Sequence, residues 1–136
     1  MAAHVDIRTR ENEGITVLDL DGRLVVSESL NVLRETVNQL MREQRSQIAV
    51  NLANVDYIDS TGLGTLVVCF TTMKRDGGAL KLFNLNRRNI ELMLLTKLST
   101  VFELFNDEQS AINSFFPERE IQHFDILNFV KDQKAK

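Results

Sequence analysis

The chain has 136 residues, of which 43% are apolar and 26% are charged, a composition typical of one folded domain rather than of a disordered chain. Its 16 Lys and Arg and 19 Asp and Glu give a net charge of -3, which argues against nucleic acid as a direct partner, because phosphate backbones attract basic proteins. One cysteine, Cys69, permits neither an internal disulfide nor a cysteine-based zinc site.

The apolar segments of the sequence are short. The longest continuous one, residues 66–70, cannot cross a bilayer, and residues 1–6 lack the apolar segment of a signal peptide. The sequence therefore predicts a cytoplasmic protein without membrane insertion.

The first third of the chain changes from strand to helix patterns. Residues 5–7 and 15–20 have the strand period and flank a turn at residues 12–14, while Asp21-Gly22 indicates the end of the second strand. A helix follows from Ser29, with Ser27 or Ser29 as its candidate N-cap. Its apolar stripe consists of Leu30, Leu33, Val37, Leu40 and Met41.

The middle third predicts a strand, a tight corner and a second helix. The strand covers residues 47–52, and residues 54–58 lead into the corner at residues 59–62. The helix runs over residues 61–75 and ends at Asp76-Gly77-Gly78, where glycine adopts the left-handed conformation of a helix C-terminus without strain. Its predicted inward side chains are Leu63, Leu66, Val67, Phe70 and Met73.

The last third of the chain continues the alternation of strands and helices as far as residue 116. A strand at residues 79–83, a helix at 87–97, a strand at 101–105 and a helix at 108–116, capped by Asp107, are predicted. This order predicts an α/β fold with a mixed, mainly parallel β-sheet, an antiparallel N-terminal hairpin and about four helices packed on the sheet.

The only proline, Pro117, separates this unit from the rest of the chain. We assign residues 1–116 to the domain and residues 117–136 to a C-terminal helical tail, predicted as one helix from residue 118. The apolar side of the tail docks either on its own domain or on a second subunit or partner.

The corner before the second helix is the strongest candidate site. It lies where the carboxyl end of a strand meets a helix N-terminus, a position where open α/β sheets bind ligands. Free N–H groups and the helix dipole stabilise negative charge there, so a phosphate on Ser60 would be favoured. The structural alternative is that Asp59 or Ser60 only caps the helix.

Two glycines in the first helical turns argue for more than a cap. Gly62 and Gly64 each cost up to about 1 kcal/mol relative to alanine in a helix. Close approach of another backbone would explain both. Thr65, Cys69, Thr72 and Asp76 form a row of mostly small side chains off the inward stripe, which predicts a flat docking strip with Thr61, Thr65 and Thr72 as contact residues.

Catalytic and cofactor sites fit the residues less well. A nucleophile elbow needs glycine where Ile58 stands, and the candidate bases, His4 and His123, lie far from Ser60 in sequence. Val67 occupies the third small-residue position of a dinucleotide fingerprint, which leaves only a weak, nonstandard nucleotide contact open. Asp56 and Asp59 could in principle hold Mg²⁺, but we assign neither a metal nor a catalytic residue.

The corner resembles a known family. Residues 51–64, and above all Asp59-Ser60-Thr61-Gly62-Leu63-Gly64, resemble the phosphorylation site of the STAS family, which includes anti-sigma factor antagonists and the cytoplasmic ends of sulfate transporters. The resemblance covers residues 5–116, including the turn at residues 20–24 and the glycines at 77–78.

The resemblance implies a non-enzymatic switch without a cofactor. Ser60 would be phosphorylated by an anti-sigma factor that is an ATP-dependent serine kinase, and only the unphosphorylated form would bind that kinase and release the sigma factor. Asp59 would shape the acceptor loop, and a serine phosphatase would reverse the modification. The partner-binding residues implied or predicted are Thr61, Gly62, Leu63, Gly64 and Thr65.

Two other functions remain open at this stage. The chain could be a soluble STAS subunit of a lipid or anion transport complex, or an enzyme whose turnover depends on Ser60. A homodimer formed through the tail also remains open, whichever function the chain has.

Overall fold

A computed structural model describes residues 4–135 of the chain, with side chains to residue 132. Its strands are β1 (Val5–Asn12), β2 (Ile15–Leu24), β3 (Gln47–Ile58), β4 (Ala79–Phe83) and β5 (Leu104–Phe105). Its helices are α1 (Glu28–Arg42), α2 (Ser60–Arg75), α3 (Arg87–Leu95), α4 (Glu108–Asn113) and α5 (Ile126–Ala135), with a 3-10 turn at Leu98–Thr100.

The strands form one sheet in the order β1-β2-β3-β4-β5 over the described residues. The β1–β2 pair is antiparallel and the other three pairs are parallel. The predicted α/β fold with a mainly parallel sheet and an N-terminal hairpin is therefore confirmed.

The hairpin turn consists of Glu13 and Gly14, both with positive φ, and Asn12 pairs with Ile15 across it. Two left-handed residues match the twist of a tight hairpin. The turn was predicted correctly, but β1 is longer than predicted, because its exposed positions are charged and hide the strand pattern after Ile7.

The predicted end of β2 at Asp21-Gly22 is wrong, because β2 continues to Leu24. Gly22 has φ +129°, and a Cβ on it would lie 2.4 Å from the carbonyl oxygen of His4. The register with β3 shifts around this position. The glycine thus marks a bulge and a close backbone approach inside the strand rather than a turn after it.

The two faces of the sheet carry separate apolar clusters. Helices α1 and α2, with Met93 of α3, cover the larger cluster, which includes Leu18, Val50 and Leu82 of the central strands. Helix α4 covers a smaller cluster on other residues of the same strands. The smaller cluster consists of Ile15, Val17, Ala49, Phe83, Phe105, Ala111 and Ile112. Because β3 and β4 contribute to both clusters, their sequences are nearly continuous apolar runs.

The helix ends agree only in part with the predictions. Ser27 occupies the N-cap position of α1, but its side chain makes no capping hydrogen bond, and the hydroxyl of Ser29 instead accepts from the backbone N–H of Val5 at 3.1 Å. Asp107 caps α4 as predicted, accepting from Ser110 N at 2.8 Å. The N–H of Gly78 donates to Met73 O at 2.7 Å, which closes α2 at the predicted glycines.

The segment after β4 is less regular than predicted. Helix α3 ends at Leu95 because Lys97 adopts φ +63°, and the 3-10 turn that follows delays β5 to Leu104. Helix α4 ends at Asn113, and Phe115 and Phe116 continue as turns bonded to residues three positions earlier.

The tail is not one helix. Helix α5 begins only at Ile126, and residues 117–125, here called the tail segment, have no regular structure. The predicted end of the tail, Lys136, lies outside the described residues.

The tail segment lies on its own domain, beside β5. The N–H of Phe124 donates to Leu104 O at 2.8 Å, and the ring of Phe124 packs on the larger core cluster. His123 stacks on Phe105 with ring centroids 5.0 Å apart, and its Nε2 lies 3.0 Å from Glu103 Oε1. Leu127 of α5, by contrast, is 75% exposed, so the apolar side of the tail is only partly covered.

Lys81 links the tail segment to the sheet and to α4. Its side chain is buried on β4, with Nζ donating to Ser114 O at 3.1 Å and lying 3.4 Å from Glu103 Oε2. A cation at the C-terminus of α4 is also favoured by the helix dipole. Glu103 therefore contacts Lys81 with one oxygen and His123 with the other.

No helix among residues 4–135 is long and apolar enough to cross a membrane.

The Glu103 contacts predict an acid-sensitive attachment of the tail segment. Burial opposes ionisation of Glu103, but His123 and Lys81 outweigh it and lower the pKa of the carboxyl group. A lowered pKa means that the carboxylate stabilises the folded state above its unfolded pKa, about 4.3, and that this stabilisation is lost as the pH falls through the folded value. We expect Glu103→Gln to increase hydrogen exchange at the Phe124 amide at neutral pH, by NMR, with the difference from wild type vanishing in acid.

The matched control is Glu118→Gln, which removes the charge of an exposed glutamate in the same segment. Equal protection of the Phe124 amide in wild type and Glu103→Gln at neutral pH would contradict the role given to Glu103.

Candidate functional site

Ser60 is the first residue of α2 and follows the end of β3 after a single intervening residue. Its side chain is exposed, and its hydroxyl makes no hydrogen bond to any residue from 4 to 135. The corner thus places a free hydroxyl at the carboxyl edge of the parallel strands, where it was predicted.

Asp59 is the residue that organises the corner. Its Oδ1 accepts from the N–H of Gly62 at 2.7 Å, which caps α2, and its Oδ2 accepts from the N–H of Val26 at 3.1 Å. Its own N–H donates to Leu24 O at 3.0 Å. Of the two predicted cap residues, Asp59 caps the helix and Ser60 does not. The bond to Val26 also fixes the loop between β2 and α1 beside Ser60.

The two glycines of the motif have different surroundings. A Cβ on Gly62 would lie 1.9 Å from Leu24 O, a distance that no side chain can occupy, so the predicted close approach of another backbone is confirmed at this position. Around Gly64 nothing lies within 4 Å of such a Cβ, and the residue is exposed. The same prediction for Gly64 is wrong within this chain.

The predicted row of Thr65, Cys69, Thr72 and Asp76 is not a docking strip. Thr65 is only 3% exposed and donates its hydroxyl hydrogen to Thr61 O at 3.0 Å, and Cys69 is equally buried. Burial raises the pKa of the Cys69 thiol to about 11, which fits a packing residue. Thr65 and Cys69 face the core because α2 is turned so that they are buried and Val67 and Phe70 are only partly buried. Of the other two row members, Thr72 is half-buried and Asp76 is exposed.

The accessible face of α2 begins at Ser60 itself. As far as Thr71 its exposed residues are Ser60, Thr61, Gly64, Val68 and Thr71, and Lys74 and Arg75 of the last turn are exposed as well. Val68 is 50% exposed, and it was neither among the predicted inward residues nor among the predicted contact residues. Of the predicted contact residues, Thr61 and Gly64 lie on this face, whereas Gly62, Leu63 and Thr65 are buried beneath it and Thr72 is half-buried.

Two asparagines at the start of α3, also missed in the sequence, fix the strand that leads to Ser60. Asn86 and Asn89 donate their side-chain N–H groups to Val55 O at 3.2 and 2.9 Å. Asn86 also caps α3 by accepting from Asn89 N at 2.8 Å. The spacing Asn86-x-x-Asn89 was a usable signal for a helix start, but not for a contact with a strand distant in sequence.

The groups considered for catalysis lie apart from Ser60 or are engaged elsewhere. His123 contacts Glu103 and Phe105 on the tail segment, and His4 lies 3.4 Å from Asp6. Asp56 lies 3.8 Å from Arg23, and both carboxylate oxygens of Asp59 accept backbone N–H groups. Among residues 4–135 no three His, Cys, Asp or Glu side chains are grouped so that they could hold a metal.

Comparisons with known proteins identify a domain family and related sequences. Residues 6–111 match the model of the STAS domain. The anti-sigma-B factor antagonist of Bacillus subtilis is 36% identical over 109 residues, which cover 80% of this chain and 98% of that protein.

Two solved structures share the fold. The anti-sigma factor antagonist from Mycobacterium paratuberculosis has a TM-score of 0.71 at 14% identity, covering 81% of this chain and 92% of that one. The Bacillus cell fate determinant SpoIIAA in its phosphorylated form has a TM-score of 0.63 at 16% identity, covering 81% and 99% of the two chains.

The unequal surroundings of the two glycines give a direct test of the corner. We expect Gly62→Ala to lower the free energy of unfolding by about 3 kcal/mol, because its Cβ would displace the Leu24 backbone. Gly64→Ala should leave stability unchanged or raise it by about 0.5–1 kcal/mol, since it adds helix propensity in open space. Urea denaturation of both variants measures the difference, and equal effects would contradict the described packing.

Proposed function

The chain belongs to the STAS domain family, and we propose that it is an anti-sigma factor antagonist whose binding to its partner is controlled by phosphorylation of Ser60. In this proposal the unphosphorylated protein binds an anti-sigma factor that is also a serine kinase, and the bound sigma factor is released. A serine phosphatase restores the binding form. The protein receives a phosphate and performs no catalysis.

The similarity to named relatives supports the first part of the proposal. The chain spans nearly the whole of the Bacillus subtilis anti-sigma-B factor antagonist, so no large part of that relative lacks a counterpart here. A protein of this fold is also known in a phosphorylated form.

The free hydroxyl of Ser60 is the observation that carries the second part. Because Asp59 already caps α2, phosphorylation of Ser60 would break no hydrogen bond within residues 4–135. The added group would carry nearly two negative charges at a helix N-terminus, where the dipole favours them. The folded state therefore tolerates both forms, as a reversible switch requires.

The effect of phosphorylation would be felt at the partner surface. We propose that the exposed face of α2 from Ser60 to Thr71 contacts the kinase. A partner surface that fits a small neutral serine would have to accommodate a bulky dianion after phosphorylation. This disfavours the complex. Asp59, Gly62, Leu63 and Thr65 would act from below, by holding this face in position.

Gly64 supports the assignment of this face. An exposed glycine inside a helix costs up to about 1 kcal/mol relative to alanine, and nothing within the described chain requires it. Close approach of a partner backbone at Gly64 would account for the missing side chain.

The other functions have less support. A soluble subunit of a lipid or anion transport complex would use the same fold, but the Bacillus subtilis relative is by name an anti-sigma-B factor antagonist. Co-purification with a permease and an ATPase, with no phosphate on Ser60, would favour that alternative. Residues 117–136 lie beyond the matched domain, and we propose that they form a tail added to a STAS unit of residues 1–116.

The switch predicts opposite behaviour of two Ser60 variants. We expect Ser60→Ala to capture a serine kinase of the anti-sigma type from native extract, identified by mass spectrometry, and to be resistant to phosphorylation. Ser60→Asp should lose this partner, because its charge imitates part of the phosphate. Thr100→Asp, which adds the same charge in the exposed 3-10 turn, is the control. Equal capture of the kinase by both Ser60 variants would show that the switch is wrong.

The role given to Gly64 is tested by adding bulk there. We expect Gly64→Leu to weaken binding of the captured kinase by at least about tenfold in calorimetry, which corresponds to about 1.4 kcal/mol. The urea midpoint should not fall, because the site is open. Glu35→Leu, an equally apolar substitution on the exposed side of α1, controls for added hydrophobicity. Unchanged affinity of Gly64→Leu would remove this residue from the interface.

A further inference from the structure

Arg23, Tyr57 and Arg88 form an exposed cluster at the carboxyl edge of the sheet. Tyr57 is 40% exposed, and the guanidinium carbon of Arg88 lies 5.7 Å from the centroid of its ring. Arg23 pairs with Tyr57 in the register of β2 and β3. We call these three residues the arginine–tyrosine patch.

The patch adjoins the acceptor corner through the backbone. The next pair in the same register is Leu24 and Ile58, and Leu24 O accepts the N–H of Asp59. Tyr57 and Arg23 therefore lie one ladder position from the residues that hold Ser60. A protein that contacts Ser60 would cover both features in an interface of ordinary size.

The patch is held in position before any partner binds. Asn86 and Asn89 flank Arg88 in α3 and both donate to Val55 O, two residues before Tyr57. These bonds fix the start of α3 against the end of β3. A backbone that is already fixed loses less entropy on binding, and Tyr and Arg are among the residue types that contribute most at protein interfaces.

The charge of the patch indicates the chemistry of its partner. The patch carries two guanidinium groups, and the ion pair that Arg23 makes with Asp56, at 3.8 Å, is largely exposed. Such a pair is weak and leaves both arginines able to bind other carboxylates.

The surroundings exclude a long polyanion. Asp21 and Asp56 line an open cavity of about 440 Å³ beside the patch, together with Asn54 and Asn86. These carboxylates would repel a continuous phosphate backbone, whereas a protein can place its acidic side chains over the arginines alone.

We infer that the arginine–tyrosine patch is a docking site for acidic side chains of the protein that binds unphosphorylated Ser60, and that it selects among partners by charge. The inference rests on the proposed function and adds a second contact to it. The patch draws in a partner with a complementary acidic surface and disfavours one with a basic surface.

The first test needs no knowledge of the partner. A short glutamate-rich peptide is titrated into the labelled protein, and backbone NMR signals are followed. We expect the largest shifts at residues 23, 57 and 88, their loss in the double variant Arg23→Gln/Arg88→Gln, and no such pattern with a lysine-rich peptide of equal length. Shifts that are absent, or that lie elsewhere and persist in the double variant, overturn the inference.

The second test uses the purified kinase captured by Ser60→Ala. We expect Arg23→Gln and Arg88→Gln each to weaken binding about fivefold or more at low salt, with the loss shrinking as salt is added. Arg42→Gln is the matched control, because Arg42 is an exposed arginine in the last turn of a different helix, α1. Unfolding midpoints identify any variant that is merely destabilised.

The two proposals fail differently. Full affinity in both arginine variants, with binding still lost in Ser60→Asp, overturns the patch and leaves the switch in place. Full affinity in Ser60→Asp, with binding lost in the arginine variants, overturns the switch and leaves the patch.

Discussion

The position of the Ser60 corner depends on the carbonyl group of Leu24. It accepts the N–H of Asp59 at 3.0 Å and also lies where a side chain on Gly62 would be. The end of β2 and the first turn of α2 are therefore in direct backbone contact. This contact determines how closely α2 approaches the sheet, and with it which side of the helix is buried.

Because of this contact, the residues at the start of α2 fall into two sets, one facing the end of β2 and one facing outward. Asp59 and Gly62 face the β2 end and serve the fold, since each is required by a neighbour within the chain. Ser60, Thr61 and Gly64 face outward and contribute little to packing. A change in the outward set can alter binding without altering folding, because the capping hydrogen bond and the close approach belong to the other set. The phosphate proposed for Ser60 would thus change the charge of the outward set at small cost to the domain.

The sequence was sufficient to predict the fold class and the position of the corner, but not the burial of individual residues. Strand and helix periods depend on neighbours in the chain, so β4 was predicted to the residue and the glycines after α2 were assigned correctly. Gly62 and Gly64 look alike locally, and only the position of Leu24 distinguishes them. The Thr65–Cys69 row was misassigned because small side chains fit a close helix–sheet contact as well as they fit a surface. The asparagines of α3 were missed because their acceptor, Val55 O, is about thirty residues away.

The tail segment shows how residues beyond the matched STAS domain, which ends at residue 111, can contact its sheet. An edge strand as short as β5 exposes backbone groups that could pair with another chain. Phe124 donates to Leu104 O and places its ring on the core, while Glu103 joins His123 to the buried Lys81. The tail segment thus occupies the β5 edge with one backbone hydrogen bond and with the contact of His123 to Glu103, the residue before β5. Because this edge and the Ser60 corner are formed by different strands, a partner can engage the corner while the tail segment stays in place.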